Sequence, residues 1–321
     1  MADGMNRDGT VRPSYIRLAA SGELARRAQA LRALASPCHL CPRACGVDRP
    51  AGELGFCRGG ILASVSSCNA HHGEEPPISG HRGSGTVFFA HCTMRCKFCQ
   101  NYPISQLGHG TEIPDAELAE RFLMLQRMKC HNLNLVTPSH YLHAIAAALV
   151  LAVEKGFRLP IVYNCSGFES VEALRLADGI VDIYMPDMKY ADPKKAALYS
   201  DAPGYVDANL PALQEMQRQV GDLVCDEEGI AQRGLLVRHL VLPGAEEDSI
   251  QVLRTLHDRV SPTLYISLMS QYFPAHKAHE TPPLDRRIDP EVYHRVVDCM
   301  DELGLNGWVQ PMQRGHPASI V

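Results

Sequence analysis

The chain has 321 residues, 45% of them hydrophobic and 21% charged, with a formal net charge of −5. That is ordinary globular material with a core large enough to need no covalent staples, and 31 basic against 36 acidic residues leave no broad basic surface for nucleic acid or an anionic membrane. No apolar run is long enough to span a bilayer and residues 1–21 carry no apolar signal-type stretch, so the expectation is a cytoplasmic protein with no membrane and no nucleic-acid partner.

In chain order, residues 14–35 read as one amphipathic helix of good helix formers, stopped by Pro37. Residues 38–60 are loop-like, with Pro, Gly and Cys close together. A short apolar segment, Ile61 to Ser67, follows, and residues 71–85 read as a linker. From there apolar, β-branched runs alternate with helical patterns. Val87–Ala90 precedes a helix at 115–128, 132–137 precedes 139–155, and 159–164 precedes 169–177. Then 181–187 precedes helical segments within 193–220, 235–242 precedes 247–260, and 263–269 precedes 289–303. The runs are almost continuously apolar, as strands covered on both faces are.

Six strand–helix units fall short of the eight of a closed barrel. The expected fold is α/β, a partial (βα)6 TIM-like barrel with a small N-terminal cysteine-rich metal-binding segment. The corresponding division is a helix at 1–35, a four-cysteine segment at 36–75, the barrel at 76–305 and a C-terminal tail at 306–321. Functional residues are expected on loops at the carboxyl ends of the strands.

Twelve cysteines in a reducing compartment need a reason. A disulfide framework suits short secreted chains and does not suit this one. Cys68, Cys130, Cys165, Cys225 and Cys299 are scattered and read as small buried hydrophobes. The others cluster. Directly after the first strand, HCTMRCKFCQN sets out Cys92-x3-Cys96-x2-Cys99. A structural zinc takes four ligands, and no fourth Cys or His follows nearby. Held by three thiolates, a [4Fe–4S] cluster keeps one iron open to a small molecule.

The spacing, on the first strand of a partial barrel, resembles the radical S-adenosylmethionine superfamily. More closely, the chain is similar to pyruvate formate-lyase activating enzyme-like proteins with an N-terminal four-cysteine segment. The stretches that carry this are CHLCPRACGVDRPAGELGFC, EEPPISGHRGSGTVFFAHCTMRCKFCQNYPIS, NLNLVTPSHY, VYNCSG, YMPDMKY, HLVLPG and ISLMSQYFP, which cover most of residues 38–274. The resemblance implies an oxidoreductase-type enzyme. In it, a cluster on Cys92, Cys96 and Cys99 cleaves S-adenosylmethionine reductively to a 5′-deoxyadenosyl radical, which abstracts hydrogen from a substrate. It also implies a reductant such as flavodoxin or ferredoxin, and a substrate that is a glycyl-radical enzyme, a peptide or a small molecule. An iron–sulfur or zinc-binding electron carrier is the non-enzymatic alternative.

Where the superfamily commonly has Gly-Gly-Glu for the methionine amino group, this chain reads Leu135-Val136-Thr137-Pro138-Ser139. The hydroxyls of Thr137 and Ser139 are the substitutes there, unless Ser139 only caps the next helix. Asn164 and Ser166 in YNCSG suit the ribose or carboxylate of the nucleoside ligand. Asp187 and Lys189 in MPDMKY resemble the Asp-x-Lys with which the activating-enzyme group contacts its cofactor. Arg238 and His239 fall on opposite faces of one strand, and Ser270 and Gln271 end another. The second constellation, Cys38-x2-Cys41-x3-Cys45-x11-Cys57, allows a closed four-thiolate site for zinc or for a second Fe–S cluster.

Overall fold

The computed structural model describes residues 12–312, so the outer ends of the expected N-terminal helix region and C-terminal tail lie outside the described residues. The expected single helix is two, α1 (Tyr15–Ala20) and α2 (Glu23–Ala33), because Gly22 takes a left-handed φ of 77° between them. The cysteine segment then runs without helix or strand to β1 (Ala63–His71). After it come α3 (Pro76–Ser79), β2 (Ser84–Phe89), α4 (Tyr102–Ser105), β3 (Thr111–Ile113), α5 (Asp115–Arg127) and β4 (Leu133–Val136). The alternation continues with α6 (Leu142–Glu154), β5 (Ile161–Cys165), α7 (Val171–Ala177), β6 (Ile183–Pro186), α8 (Pro193–Ser200), α9 (Tyr205–Val220) and β7 (Val224–Cys225). It ends with β8 (Ala231–Leu240), α10 (Glu246–Arg259), β9 (Tyr265–Met269), α11 (Pro290–Glu302) and β10 (Asn306–Val309).

One sheet holds the strands in the order β10-β9-β8-β6-β5-β4-β2-β1-β3, with β7 beside β8. The six expected strands are β2, β4, β5, β6, β8 and β9, adjacent in sequence order and parallel throughout. The path does not return on itself, so the α/β barrel is open. Parallel pairing forces crossover connections, and the helices supply them. Several are started by side chains: Ser170, Asp192 and Asp289 each accept a main-chain N–H from the first turn of the helix that follows. The strands' apolar faces and α2, α5, α6 and α7 share one buried cluster, with Leu31, Phe122, Leu149, Tyr163 and Leu174 inside it.

Three expectations need correction. Residues 63–71, assigned to the cysteine segment, form β1, which pairs antiparallel with β2 and so belongs to the barrel sheet. Asn306–Val309, assigned to a tail, pairs parallel with β9. Residues 71–85 are no linker: they hold α3 and the ends of two strands, and Glu75, Pro77, Ile78 and Ser79 are buried.

A clasp joins the start of the described chain to the barrel. The buried carboxylate of Asp182, just before β6, accepts N–H bonds from Ser14 at 2.9 Å and Ile161 at 3.0 Å, while Arg233 donates to the Ser14 hydroxyl at 2.9 Å. Burial pushes the Asp182 carboxyl up to about 6.

Candidate metal and cofactor centre

β2 ends at Phe89, and His91, at a φ of 70°, turns the chain off the sheet into the Cys92–Cys99 loop. The loop is fixed from three sides. Arg95 and Lys97 donate main-chain N–H bonds to Ser200 (3.0 Å) and Tyr199 (2.8 Å) at the end of α8. Lys277 donates to the Lys97 carbonyl at 2.8 Å, and the Gln106 amide donates to the Cys96 carbonyl at 2.9 Å. Met94 and Phe98 anchor it in an apolar cluster separate from the barrel core, with Phe168, Tyr190, Tyr205 and Tyr272.

The three cysteines are half-buried, and each sulfur has a polar hydrogen near it. The Met94 N–H donates to Cys92 Sγ at 3.4 Å, the Ser200 hydroxyl to Cys96 Sγ at 3.0 Å, and the Ser105 hydroxyl lies 3.1 Å from Cys99 Sγ. Burial and the neighbouring thiols push Cys92 well up, and Cys99 to about 11. Burial also raises Cys96, against the pull of Lys189 and Ser200. Such thiols stay protonated until a cation replaces the proton. The donor set therefore fits an inorganic centre: soft ligands, each already supplied with a hydrogen bond of the kind that tunes metal–sulfur sites. Among the described residues no three ligand-type side chains converge at the spacing of a single metal ion.

Facing the thiols is the pair read from MPDMKY. Lys189 Nζ donates to Asp187 Oδ2 at 2.5 Å. Burial opposes the ammonium charge, but Asp187 and the thiols Cys96 and Cys99 hold it on. The Tyr205 hydroxyl lies 2.9 Å from the carbonyls of Ser166 and Asp187 and accepts the Lys189 N–H at 2.9 Å, fastening the ends of β5 and β6 together. Gly167 is required there, since a Cβ would lie 2.1 Å from the Asp187 carbonyl oxygen. Asn164 Oδ1 accepts from Arg238 at 3.3 Å, and the Ser166 hydroxyl accepts the Phe168 N–H at 3.4 Å.

The residues after β4 behave differently. Thr137 stands at a φ of 58° with its N–H on the Asn164 carbonyl. Ser139 is buried and donates to Glu169 Oε1 at 2.5 Å, while Tyr163 donates to Oε2 at 3.0 Å. Ser139 is not a helix cap; it opens a short 3-10 turn ahead of α6. Its hydroxyl is committed to Glu169, whose carboxyl burial pushes up to about 7 against these hydroxyls and the Cys165 thiol.

Arg238 and His239 do point to opposite faces. Arg238 is clamped by Glu75 at 2.7 Å and Glu74 at 2.5 Å, whereas the His239 ring bonds the Met188 carbonyl at 2.7 Å and is lowered to about 4 by burial. Ser270 donates to the Pro311 carbonyl, and the Gln271 carbonyl accepts from Gln100. Sequence reasoning passed over Glu74, Glu75, Ser105, Glu169 and Ser200. Only the adjacent acids could have been flagged, as a charge pair next to two prolines.

The N-terminal segment packs against this loop. Phe56 lies between two guanidiniums, Arg43 at 3.5 Å and Arg95 at 4.6 Å from its ring centre. Arg43 also donates to the Thr93 carbonyl at 3.0 Å, and Arg95 to the Phe56 carbonyl at 3.0 Å. None of the twelve cysteines is joined to another in a disulfide. A shallow groove lined by Ala28, Arg32, Asp115 and Ala147 lies on the outer helical face and shares no residue with the thiol loop.

No family model matches the chain. It is similar to an uncharacterized protein of Methanocaldococcus jannaschii, 28% identical over 278 residues that span 84% of this chain and 75% of the other. Among solved structures, a radical SAM methyltransferase from Sphaerobacter thermophilus superposes with a TM-score of 0.49 at 15% identity, over 93% of this chain and 92% of that one. SuiB of Streptococcus suis gives 0.45 at 10% identity over 69% and 47%. TsrM of Kitasatospora setae, a radical S-adenosylmethionine methyltransferase with cobalamin and a [4Fe–4S] cluster bound, gives 0.42 at 15% identity over 73% and 38%.

Proposed function

We propose that the chain is a radical S-adenosylmethionine enzyme whose [4Fe–4S] cluster is held by Cys92, Cys96 and Cys99. The observation that carries this is the loop at the carboxyl end of the first parallel strand: three half-buried thiols, each with a hydrogen-bond partner on sulfur, facing a half-buried Lys–Asp pair. When bound, the cluster and S-adenosylmethionine supply the one-electron cleavage that yields a hydrogen-abstracting radical.

The chain's own residues hold and shield. Lys189, kept cationic by Asp187, sets an ammonium group beside the thiolates of the loop. Asn164, oriented by Arg238, and Ser166 present polar groups beside it for the ribose and carboxylate of the ligand. Thr137 offers a polar group at the end of β4, and Ser139 acts through Glu169. Met94, Phe98 and Tyr272 keep water from the loop's outer side. Hydrogen abstraction from a glycine of a partner protein is the substrate reading that the resemblance carries, with a flavodoxin- or ferredoxin-type reductant, in the cytoplasm.

The test is anaerobic. The protein, reconstituted with iron and sulfide, reduced and given S-adenosylmethionine, is expected to form 5′-deoxyadenosine, measured by mass spectrometry against Cys96→Ala. Equal amounts from both proteins would overturn the assignment of the loop.

A further inference from the structure

Segment 38–57 combines three features that the reaction above does not use. Cys38, Cys41 and Cys57 are 2%, 5% and 6% exposed. Cys45 closes over Gly55, where any Cβ would lie 2.4 Å from its sulfur. Between them runs Arg49, only 1% exposed. Its Nη1 donates to the carbonyls of His140 (2.6 Å) and Gly60 (3.4 Å), its Nη2 to Cys57 Sγ (3.4 Å), and its Nε has no partner.

A guanidinium keeps its charge at any pH at which the protein is folded, and a buried charge without a counter-charge is strongly disfavoured. Arg238 shows how this chain ordinarily meets that demand, with two carboxylates. The ionisable side chains that bear most on Arg49 are the thiols Cys57, Cys38 and Cys41, and His140, His143 and Tyr141, also beside it, bring no negative charge. The missing negative charge therefore has to come from sulfur, and neutral thiols do not provide it. Four thiolates around a cubane core of charge +2 leave a net −2, which does. A single zinc would give the same charge, but the segment packs directly on the Cys92–Cys99 loop through Arg43, Phe56 and Arg95, where a centre that carries electrons has a use and zinc has none.

We infer that Cys38, Cys41, Cys45 and Cys57 hold a second iron–sulfur centre of the [4Fe–4S] type, with Arg49 as its buried counter-ion. The centre is separate from the thiol loop of the radical chemistry and can be observed without it. In a Cys92→Ala/Cys96→Ala/Cys99→Ala background the first loop cannot contribute. After anaerobic reconstitution, one cluster's complement of iron and sulfide is expected to remain, with the paramagnetic signal of a reduced cluster. Adding Cys45→Ser, at the exposed member of the set, is expected to remove or convert that signal while the circular dichroism spectrum stays native. Retention of one zinc and no iron would overturn the cluster assignment, and retention of no metal would overturn the site. Arg49→Leu is expected to lower the midpoint potential of the remaining centre or to empty it, and Arg49→Lys to keep it loaded. Unchanged loading and potential in Arg49→Leu would remove Arg49 from the role of counter-ion.

Discussion

In the loop from Cys92 to Cys99 the nearby cation, Lys189, has its own carboxylate at 2.5 Å. In the segment from Cys38 to Cys57 the cation, Arg49, touches only carbonyls and sulfur. The first loop lies half-buried at the open end of the sheet, roofed by aromatic side chains and charge-balanced before any ligand arrives. The second buries three of its four thiols, and its charge balance is incomplete without something anionic. Two groups of thiols can thus be separated by asking what the surrounding protein has already neutralised. A site prepared to exchange ligands keeps its charges paired, whereas a permanent centre can itself be one member of the pair.

The largest effect expected from this contrast is at the first loop. Cys96→Ala should abolish S-adenosylmethionine cleavage and the loop's cluster absorbance, because two thiolates do not hold a cubane. Cys38→Ala should weaken the fold or the electron supply and leave that absorbance in place. Its disappearance in the Cys38 variant would merge the two regions into one site.

Next in size is the arginine that has carboxylate partners. Arg238→Ala leaves Glu74 and Glu75 buried and unpaired, with side chains 7% and 5% exposed, and should cost about 3–5 kcal/mol in urea unfolding. The triple change with Glu74→Gln and Glu75→Gln should recover most of it. An unchanged unfolding midpoint in Arg238→Ala would mean that water reaches the acids.

Glu169 gives a smaller effect that depends on pH. Its carboxyl is raised by burial from 4.5 to about 7. A raised acid favours the folded state while protonated, so this contribution is present below about 4.5 and is lost as pH rises towards 7. Relative to Glu169→Gln, the wild type should therefore lose stability across that window, by up to roughly 3 kcal/mol. A gap independent of pH would show that the carboxyl ionises freely in the folded protein.

The smallest effect is at Ser200. Ser200→Ala removes one O–H···S bond to Cys96, worth about 1 kcal/mol, or roughly 40 mV for a one-electron couple. The cluster's midpoint potential should fall by that order with iron content unchanged, and a rise would mean that the hydroxyl does not stabilise the reduced charge.

The parallel strands were legible because a strand buried on both faces leaves an unbroken apolar run, as Ile183–Pro186 does. The thiol loop was legible because its ligands are close in sequence. What escaped was long-range or polar. Strand β1 is buried only at its first two residues and carries Ser, Asn and His further on, so only Ile61 to Ser67 stood out, as a short apolar segment. β10 is four residues with Gly307 at a φ of 133°, where a Cβ would meet the Ile266 carbonyl oxygen at 1.9 Å. Glu169 looked like the first residue of a helix, and Ser200 reaches Cys96 across 104 residues. Arg49, in a loop of Pro and Gly, carries no signal in the sequence. Only its burial gives it meaning.

The Asp182 clasp bears on how the chain can be shortened. Both carboxylate oxygens of a buried acid are held by main-chain N–H groups, and one of those groups belongs to Ser14. A fragment beginning at the cysteine segment would keep every thiol and every parallel strand, yet would leave half of that carboxylate facing nothing and Arg233 without the Ser14 hydroxyl. Removal of Ser14 with the residues before it should accordingly loosen the junction of β5 and β6, far along the covalent chain from the cut.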